Sequence, residues 1–404
     1  MAKRSQATPK ATTRAKTRKD AADSLLSARD AAETPSASWS RELLDLREIL
    51  GQDRAVKVMA DAIASRRVHH AWILHGPAGV GKCTAAVAFA ALLLDPTTRM
   101  DPDGLPRCDE HSNVRGLLRA GTHPDFRMIV KELARFSDDP EIRDRKLLTI
   151  PKQVIEEHLV QPAALAPLLP DSASALARKV FIVDEAELLD RSPANAPVQN
   201  SILKTVEEPP TGTVIMLVTT HPDRLLPTIR SRAQQVGFGP LSDAAMQTWL
   251  QRVRPNMDPA IAEDDLGFLQ SFAGGSPGEL LRAHRSGLAE WARTLEPLLA
   301  ASDSGRYSAE LAPSMVRMIE SYAEQAVSGS KQASKEAANR DAARQILRIL
   351  GDRLRRKLRS RPEDSTRVLA AIDRLREAER HLESSVQPGF VLEWLAGRLA
   401  ATSP

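Results

Sequence analysis

Cysteine is nearly missing from this chain: Cys83 and Cys108 are the only two among 404 residues. Two thiols cannot build a disulfide framework, so the expected setting is a reducing one, the cytoplasm. Aromatic residues are equally scarce, at 4%. No run approaches the ~18 apolar residues of a membrane span, and the opening residues lack the apolar core of a secretion signal, so no membrane partner is expected. Acid is absent from the start of the chain: Lys3, Arg4, Lys10, Arg14, Lys16, Arg18 and Lys19 all precede Asp20. With few large apolar side chains nearby, residues 1–38 read as a disordered basic tail, an Arg-rich transit peptide being the other reading. No acidic triad of the kind that transfers nucleotides is visible, which leaves out a polymerase active site.

The net charge of +4 is modest for this length and excludes a chain that coats nucleic acid over its whole surface. Beyond the tail, positive charge gathers at Arg353, Arg355, Arg356, Lys357, Arg359 and Arg361, either a phosphate contact or solvated surface. The length suits two to four domains, and the richness in Ala, Leu and Arg favours helices.

Short apolar runs of buried-strand type occur at Ala71–Leu74, Val180–Val183 and Val214–Val218, separated by helical stretches such as Thr84–Leu94. That alternation predicts an α/β layered core over residues 39–240, built on a parallel sheet. Past Pro240, Met246, Trp249, Leu250, Leu269 and Phe272 suggest a small helical unit over 241–285. Residues 286–404 read as helical throughout, with stripes such as Leu311, Met315, Met318, Ile319 and Tyr322. The stretch Ser328–Asn339 is expected to be a mobile link.

The strongest chemical signal is Gly76-Pro77-Ala78-Gly79-Val80-Gly81-Lys82-Cys83-Thr84, set between a strand and a helix. Glycines allow successive backbone N–H groups to turn inward around phosphate oxygens, and the following helix N-terminus favours negative charge. Lys82 would meet the outer phosphates of a nucleotide as a point charge. The pattern calls for a hydroxyl after the lysine to ligate Mg²⁺, and Cys83 stands there instead. A thiol is a soft, weak donor for a hard ion, so cradling of ATP is expected to survive and metal-assisted hydrolysis is left open. About a hundred residues on, Asp184-Glu185 ends an apolar strand. Asp184 is the expected holder of the Mg²⁺ shell and Glu185 the group that polarises an attacking water.

Two longer runs are more selective. Asn200-Ser201-Ile202-Leu203-Lys204-Thr205-Val206-Glu207-Glu208-Pro209-Pro210 is followed by Leu225-Leu226-Pro227-Thr228-Ile229-Arg230-Ser231-Arg232. These resemble the bacterial clamp-loader family, the AAA+ gamma/tau and delta-prime subunits of DNA polymerase III. Ile49-Leu50-Gly51-Gln52, His69-His70-Ala71, Gly121-Thr122-His123-Pro124-Asp125 and Gly274-Gly275-Ser276-Pro277-Gly278 are similar to the delta-prime branch. The resemblance covers residues 43–285 well and the remainder only in its helical character.

The resemblance implies an AAA+ phosphate-loop domain, a helical lid and an all-α collar that joins subunits into a ring. It implies gamma/tau and delta subunits, a sliding clamp and primer–template DNA as partners. It also implies that Arg232 reaches a neighbour's ATP as an arginine finger and that Thr220, with Thr219, closes its strand where a γ-phosphate sensor sits. Three departures qualify it. Ala233 stands where the family has Cys. Only Cys108, with His111 near it, remains of a four-cysteine zinc module, so no zinc is expected. Glu279 follows Gly278 where a nucleotide-sensing arginine is common, with Arg282 one turn on. The segments Glu156–Arg178 and Asp190–Gln199 look longer than the family norm. Whether this subunit is itself an enzyme stays open. The other readings are a competent gamma/tau-type ATPase and a non-replicative AAA+ adaptor.

Overall fold

The computed structural model describes residues 43–143, 148–169, 174–192, 194–304, 306, 308–328, 334–384 and 386–400. The basic tail and Trp39 lie outside the described residues.

The strands are β1 (Ala71–His75), β2 (Arg99–Met100), β3 (Pro106–Arg107), β4 (Phe126–Ile129), β5 (Lys179–Val183), β6 (Thr213–Thr219) and β7 (Gln234–Gly237). Five of them form one sheet in the order β4-β5-β6-β1-β7, every neighbouring pair parallel; β2 and β3 form a separate antiparallel pair. Parallel strands need helices on both faces, and the residues of β1, β5 and β6 are apolar on both faces accordingly. Trp72, Leu74, Val180, Ile182, Met216 and Val218 enter one core; Ile73, Phe181, Val183, Ile215 and Leu217 enter the other. The longer helices of this layer are α1 (Asp53–Ala64), α2 (Lys82–Leu94), α3 (Asn113–Arg119), α4 (Pro197–Glu207) and α5 (Pro227–Ser231), and short helical turns between Lys152 and Ala164 also pack on the sheet through Val154, Ile155, Leu159 and Ala163.

The helix α2 is apolar all round, which suits an element enclosed by protein rather than lying at a surface. Phe89 is fully buried and meets Trp72 edge-on at 5.0 Å between ring centroids. Burying a side chain of this size stabilises the layer by roughly 2–3 kcal/mol. The Trp72 indole N–H is satisfied by the His69 carbonyl at 2.7 Å.

Eight further α-helices follow among the described residues: α6 (Asp243–Val253), α7 (Glu263–Ala273), α8 (Pro277–Arg285), α9 (Leu288–Asp303), α10 (Leu311–Ser328), α11 (Lys335–Ser360), α12 (Ser365–Glu383) and α13 (Pro388–Ala400). Leu241, Met246, Leu250, Leu269, Phe272 and Leu280 form a small core of their own, and Ile349 of α11 joins it. A fourth core, including Leu299, Met315, Ile346, Leu375 and Leu395, holds α9 to α13 together. The architecture is a parallel α/β domain followed by a small helical unit and an all-α region, as expected.

One expectation changes, and one is given detail. The link assigned to Ser328–Asn339 is shorter, because Lys335–Asn339 are the first turn of α11, with the Ser334 hydroxyl accepting from Ala337 N; residues 329–333 lie outside the described residues. Of the six basic residues in the cluster at 353–361, three are paired locally. Arg353 is paired with Glu296 and Asp303, Lys357 with Asp303, and Arg356 with Asp352.

Candidate nucleotide-binding site

The phosphate loop joins β1 to α2 at the carboxyl end of the sheet. Three of its glycines have positive φ: Gly76 at 145°, Gly79 at 71° and Gly81 at 99°. At Gly76 a Cβ would lie 2.2 Å from the Phe238 carbonyl oxygen, so glycine is required by contact as well as by dihedral. Val80 is buried, and its carbonyl accepts from Gln52 Nε2 at 3.2 Å. The same Gln52 amide exchanges two hydrogen bonds with the Gly239 backbone, at 2.7 and 3.1 Å. One buried side chain thereby ties the loop to the end of β7.

Lys82 is buried and donates to the carbonyls of Gly76 (2.8 Å) and Pro77 (2.6 Å). Burial pulls its pKa below the ordinary lysine value, against the pull of Asp184 and Glu187. Cys83 is half-buried, and its thiol donates to Met128 Sδ at 3.8 Å. Burial, followed by the Asp184 charge, raises the thiol well above its ordinary value, so it remains protonated and a poor oxygen substitute. Thr84, one residue further along α2, is half-buried.

Sheet order brings the second motif alongside. Since β6 separates β1 from β5, Asp184 at the end of β5 faces the start of α2 across the end of β6. Burial and then Glu185 push the Asp184 carboxyl above the usual range. Glu185 has a positive φ of 50° and accepts from Lys131 Nζ at 2.7 Å. Burial opposes it, but the Glu185 charge holds Lys131 above the ordinary lysine value. Thr219 and Thr220 close β6, and both hydroxyls donate to Glu187, Thr219 at 2.7 Å. Burial alone would raise Glu187; hydrogen bonds from Thr220 and Thr219 outweigh it and hold the carboxyl low. The donor set around Cys83 does not suit Mg²⁺, which asks for near-octahedral oxygen ligation.

The lid sits directly on the phosphate loop. Gly278 N donates to Gly79 O at 2.9 Å, and Ser276 Oγ donates to Ala78 O at 2.7 Å. A Cβ on Gly278 would lie 2.7 Å from Gly79 Cα, so both glycines are needed for this approach. Next in line, buried Glu279 pairs with Arg282 (3.0 Å) and with Arg348 of α11. The Arg348 guanidinium also lies over the Phe272 ring, 4.4 Å from its centroid.

Arg232 is held by a separate chain of contacts. Buried Asp190 accepts from Val198 N (3.2 Å) and Gln199 N (2.9 Å) at the first turn of α4. Buried Gln199 then donates to Arg224 O (3.1 Å) and accepts from Leu226 N (2.7 Å), which sets the start of α5. Leu225 and Ile229 anchor that short helix in the core. Arg232 follows it with its side chain 44% exposed, and its Nε lies 3.3 Å from Glu207 at the end of α4. Cys108 is buried against the Arg115 guanidinium at 3.5 Å, and that arginine is also paired with Asp45.

Sequence reading located the loop, Asp184, Glu185 and Arg232, and the structure gathers all but Arg232 around one corner. Met128, Lys131 and Glu187 went unnoticed because their partners lie on other strands. Gln52 and Ser276 stood within recognised runs, yet their contacts with the loop had no local signal.

A phosphate-loop sequence at the head of a central parallel strand, an acid pair two strands away and a helical unit packed on the loop make up one corner of a parallel α/β fold. Residues 51–242 match the family described as DNA polymerase III, delta subunit. The chain is 34% identical over 221 residues to the DNA polymerase III subunit delta' of Pseudomonas aeruginosa, covering 55% of this chain and 57% of the relative. It is 30% identical to the Escherichia coli subunit delta', covering 53% and 54%. The tau subunit of Bacillus subtilis is 27% identical, over 58% of this chain and 36% of the relative. A solved gamma subunit-related protein from Thermotoga maritima superposes with a TM-score of 0.42 at 14% identity, covering 85% of this chain and 98% of that one. The chain therefore spans about half the length of the delta' relatives it matches. Residues 51–242 are thus similar to clamp-loader subunits of bacterial DNA polymerase III, and the identity is higher to the delta' relatives than to tau. Among the described residues no helix is long and apolar enough to cross a membrane.

Proposed function

We propose that this chain is a delta-prime-like subunit of a clamp loader. It would stand in a hetero-oligomeric ring with gamma/tau and delta subunits and help place a sliding clamp on primer–template DNA in an ATP-dependent cycle. Within the ring it lends Arg232 to the triphosphate bound by its neighbour. Its own phosphate loop is a binder of ATP phosphates, built from Gly76, Pro77, Gly79, Val80, Gly81 and Lys82, with Thr84 behind it and Thr220 opposite. Asp184 and Glu185 would be the hydrolytic pair, but Glu185 is engaged by Lys131 and Cys83 replaces the hydroxyl that would ligate the metal. A binder with little turnover of its own is the reading these contacts support.

The observation that carries the proposal is the setting of Arg232. It is exposed on the outer end of α5, and its ion pair is with an equally exposed carboxylate. Such a surface pair is worth ~0–1 kcal/mol, so a neighbour's triphosphate can displace Glu207 readily. In a reconstituted complex with DNA polymerase III subunits, Arg232→Ala should leave folding and assembly intact. At the junction it serves, ATP turnover should fall by roughly a thousandfold, the lower range for loss of an arginine finger. Unchanged turnover at every junction, or failure of the wild-type chain to assemble with those subunits, would overturn the reading.

A further inference from the structure

One four-residue segment touches two distant parts of the chain. Ser276 and Gly278 bond to the phosphate loop at Ala78 and Gly79, and the next residue, Glu279, carries a buried carboxylate onto Arg348 of α11. A second buried carboxylate, Asp352 one turn further along α11, accepts from Ser271 Oγ of α7 at 2.7 Å. The rest of this joint is apolar, with Leu269, Phe272 and Leu280 around Ile349. Buried charges add little adhesion to an apolar joint, because desolvation cancels most of their attraction. Glu279 Oε1, 3.0 Å from Arg282 Nη2, also has no hydrogen bond among the described residues. What the charges supply is one seating: a joint out of register would part Glu279 from Arg348 and leave a buried carboxylate short of its partner. The helix held in that seating is 26 residues long, about 39 Å, and its Ile346, Leu347 and Leu350 belong to the core of the all-α region.

We propose that Glu279 is a positioning residue that latches α8 to α11 in one register. A displacement of the phosphate loop is then delivered through Ser276–Glu279 to the all-α region, and a displacement of α11 is delivered back to the loop. The Arg348 guanidinium, stacked on Phe272, is the receiving end of the latch. The latch stands on protein contacts alone and goes beyond the function proposed above; only its use by ATP rests on that reading.

The test is a cycle of variants in the full-length protein, read by amide hydrogen exchange. Gly278→Ala breaks the loop side of the segment, and Ser276→Ala breaks it more gently should the first variant fail to fold. Either should raise exchange across 345–356 by at least about fivefold, the lower range of coupling between sites. Glu279→Met with Arg348→Met removes the charges at similar volume. That pair should keep or raise Tm, while the same loop-side break, added to it, should leave 345–356 unchanged. Exchange across α11 that answers to the loop in neither background, or equally in both, overturns the latch. A lower Tm in the Met pair makes the contact a stabilising one and overturns the assignment as well. A second arm adds a fluorescent ATP analogue, which should alter exchange across 345–356 in the wild type and not in the Met pair; the same alteration in both overturns the latch. No analogue bound to either protein refutes the nucleotide reading, and the loop-side variants alone then decide the latch.

Discussion

Replacing Asp190 with alanine tests how Arg232 is aimed. The Asp190 carboxylate is buried and accepts two backbone N–H groups, from Val198 at 3.2 Å and Gln199 at 2.9 Å, where α4 begins on Pro197. Removing it strands both donors away from water. A helix cap of this kind is worth ~0.5–2 kcal/mol, and a hydrogen bond to a charged group ~1.5–3 kcal/mol. Both bonds go to one carboxylate, so about 2 kcal/mol is the expected cost, roughly a 30-fold rise in local opening. Amide hydrogen exchange across residues 197–207 should report that rise, while the strand β1 should stay protected. Asp190→Asn keeps one acceptor oxygen and should lose about half as much. Because Gln199 sets the backbone at Arg224 and Leu226, the same variant should lower ATP turnover of the assembled complex, though less than Arg232→Ala. Exchange across α4 that changes by less than about threefold would refute the cap and, with it, the proposed route from Asp190 to Arg232.

Two glycine variants separate backbone strain from domain contact. Gly81→Ala meets nothing within 4 Å and carries only the strain of φ 99°, an expected cost of ~1–2 kcal/mol with the lid left docked. Gly278→Ala collides with Gly79 and should release the lid, seen as added proteolysis or exchange around 276–282; a docked lid in that variant would refute the contact. Histidine burial predicts the acid side of the stability profile. Burial lowers His70, His123 and His158 below 6.5, aided at His70 by His69 and at His158 by Arg127. The unfolded chain then binds more protons just below pH 6.5, so their contribution is complete above 6.5 and is lost as pH falls through the lowered values. His123→Asn with His158→Gln should flatten the fall of Tm below that pH; an unchanged slope would show that these rings do not control it.

Much of this protein is written locally. Four consecutive apolar residues leading to His75-Gly76 or to Asp184 read as short strands buried on both faces, and the positive φ of Gly76, Gly79 and Gly81 is foreshadowed by their identity. The phosphate loop, the acid pair and the Ser-Arg run were legible for the same reason: each is a continuous stretch whose chemistry depends on spacing along the chain. Strand order is not local. Only the sheet order β4-β5-β6-β1-β7 places Met128 beside Cys83 and Glu187 under Thr219 and Thr220, pairs separated by 45 and by 32 and 33 residues. Only tertiary packing seats Gly278 on Gly79 and pairs Glu279 with Arg348, and it sets Arg353 and Lys357 of the basic cluster against Glu296 and Asp303. Periodicity and turn chemistry decide which elements form. Which side chains from distant elements come within 4 Å is decided by how the buried faces close on one another, and one chain's order of residues does not carry that distance.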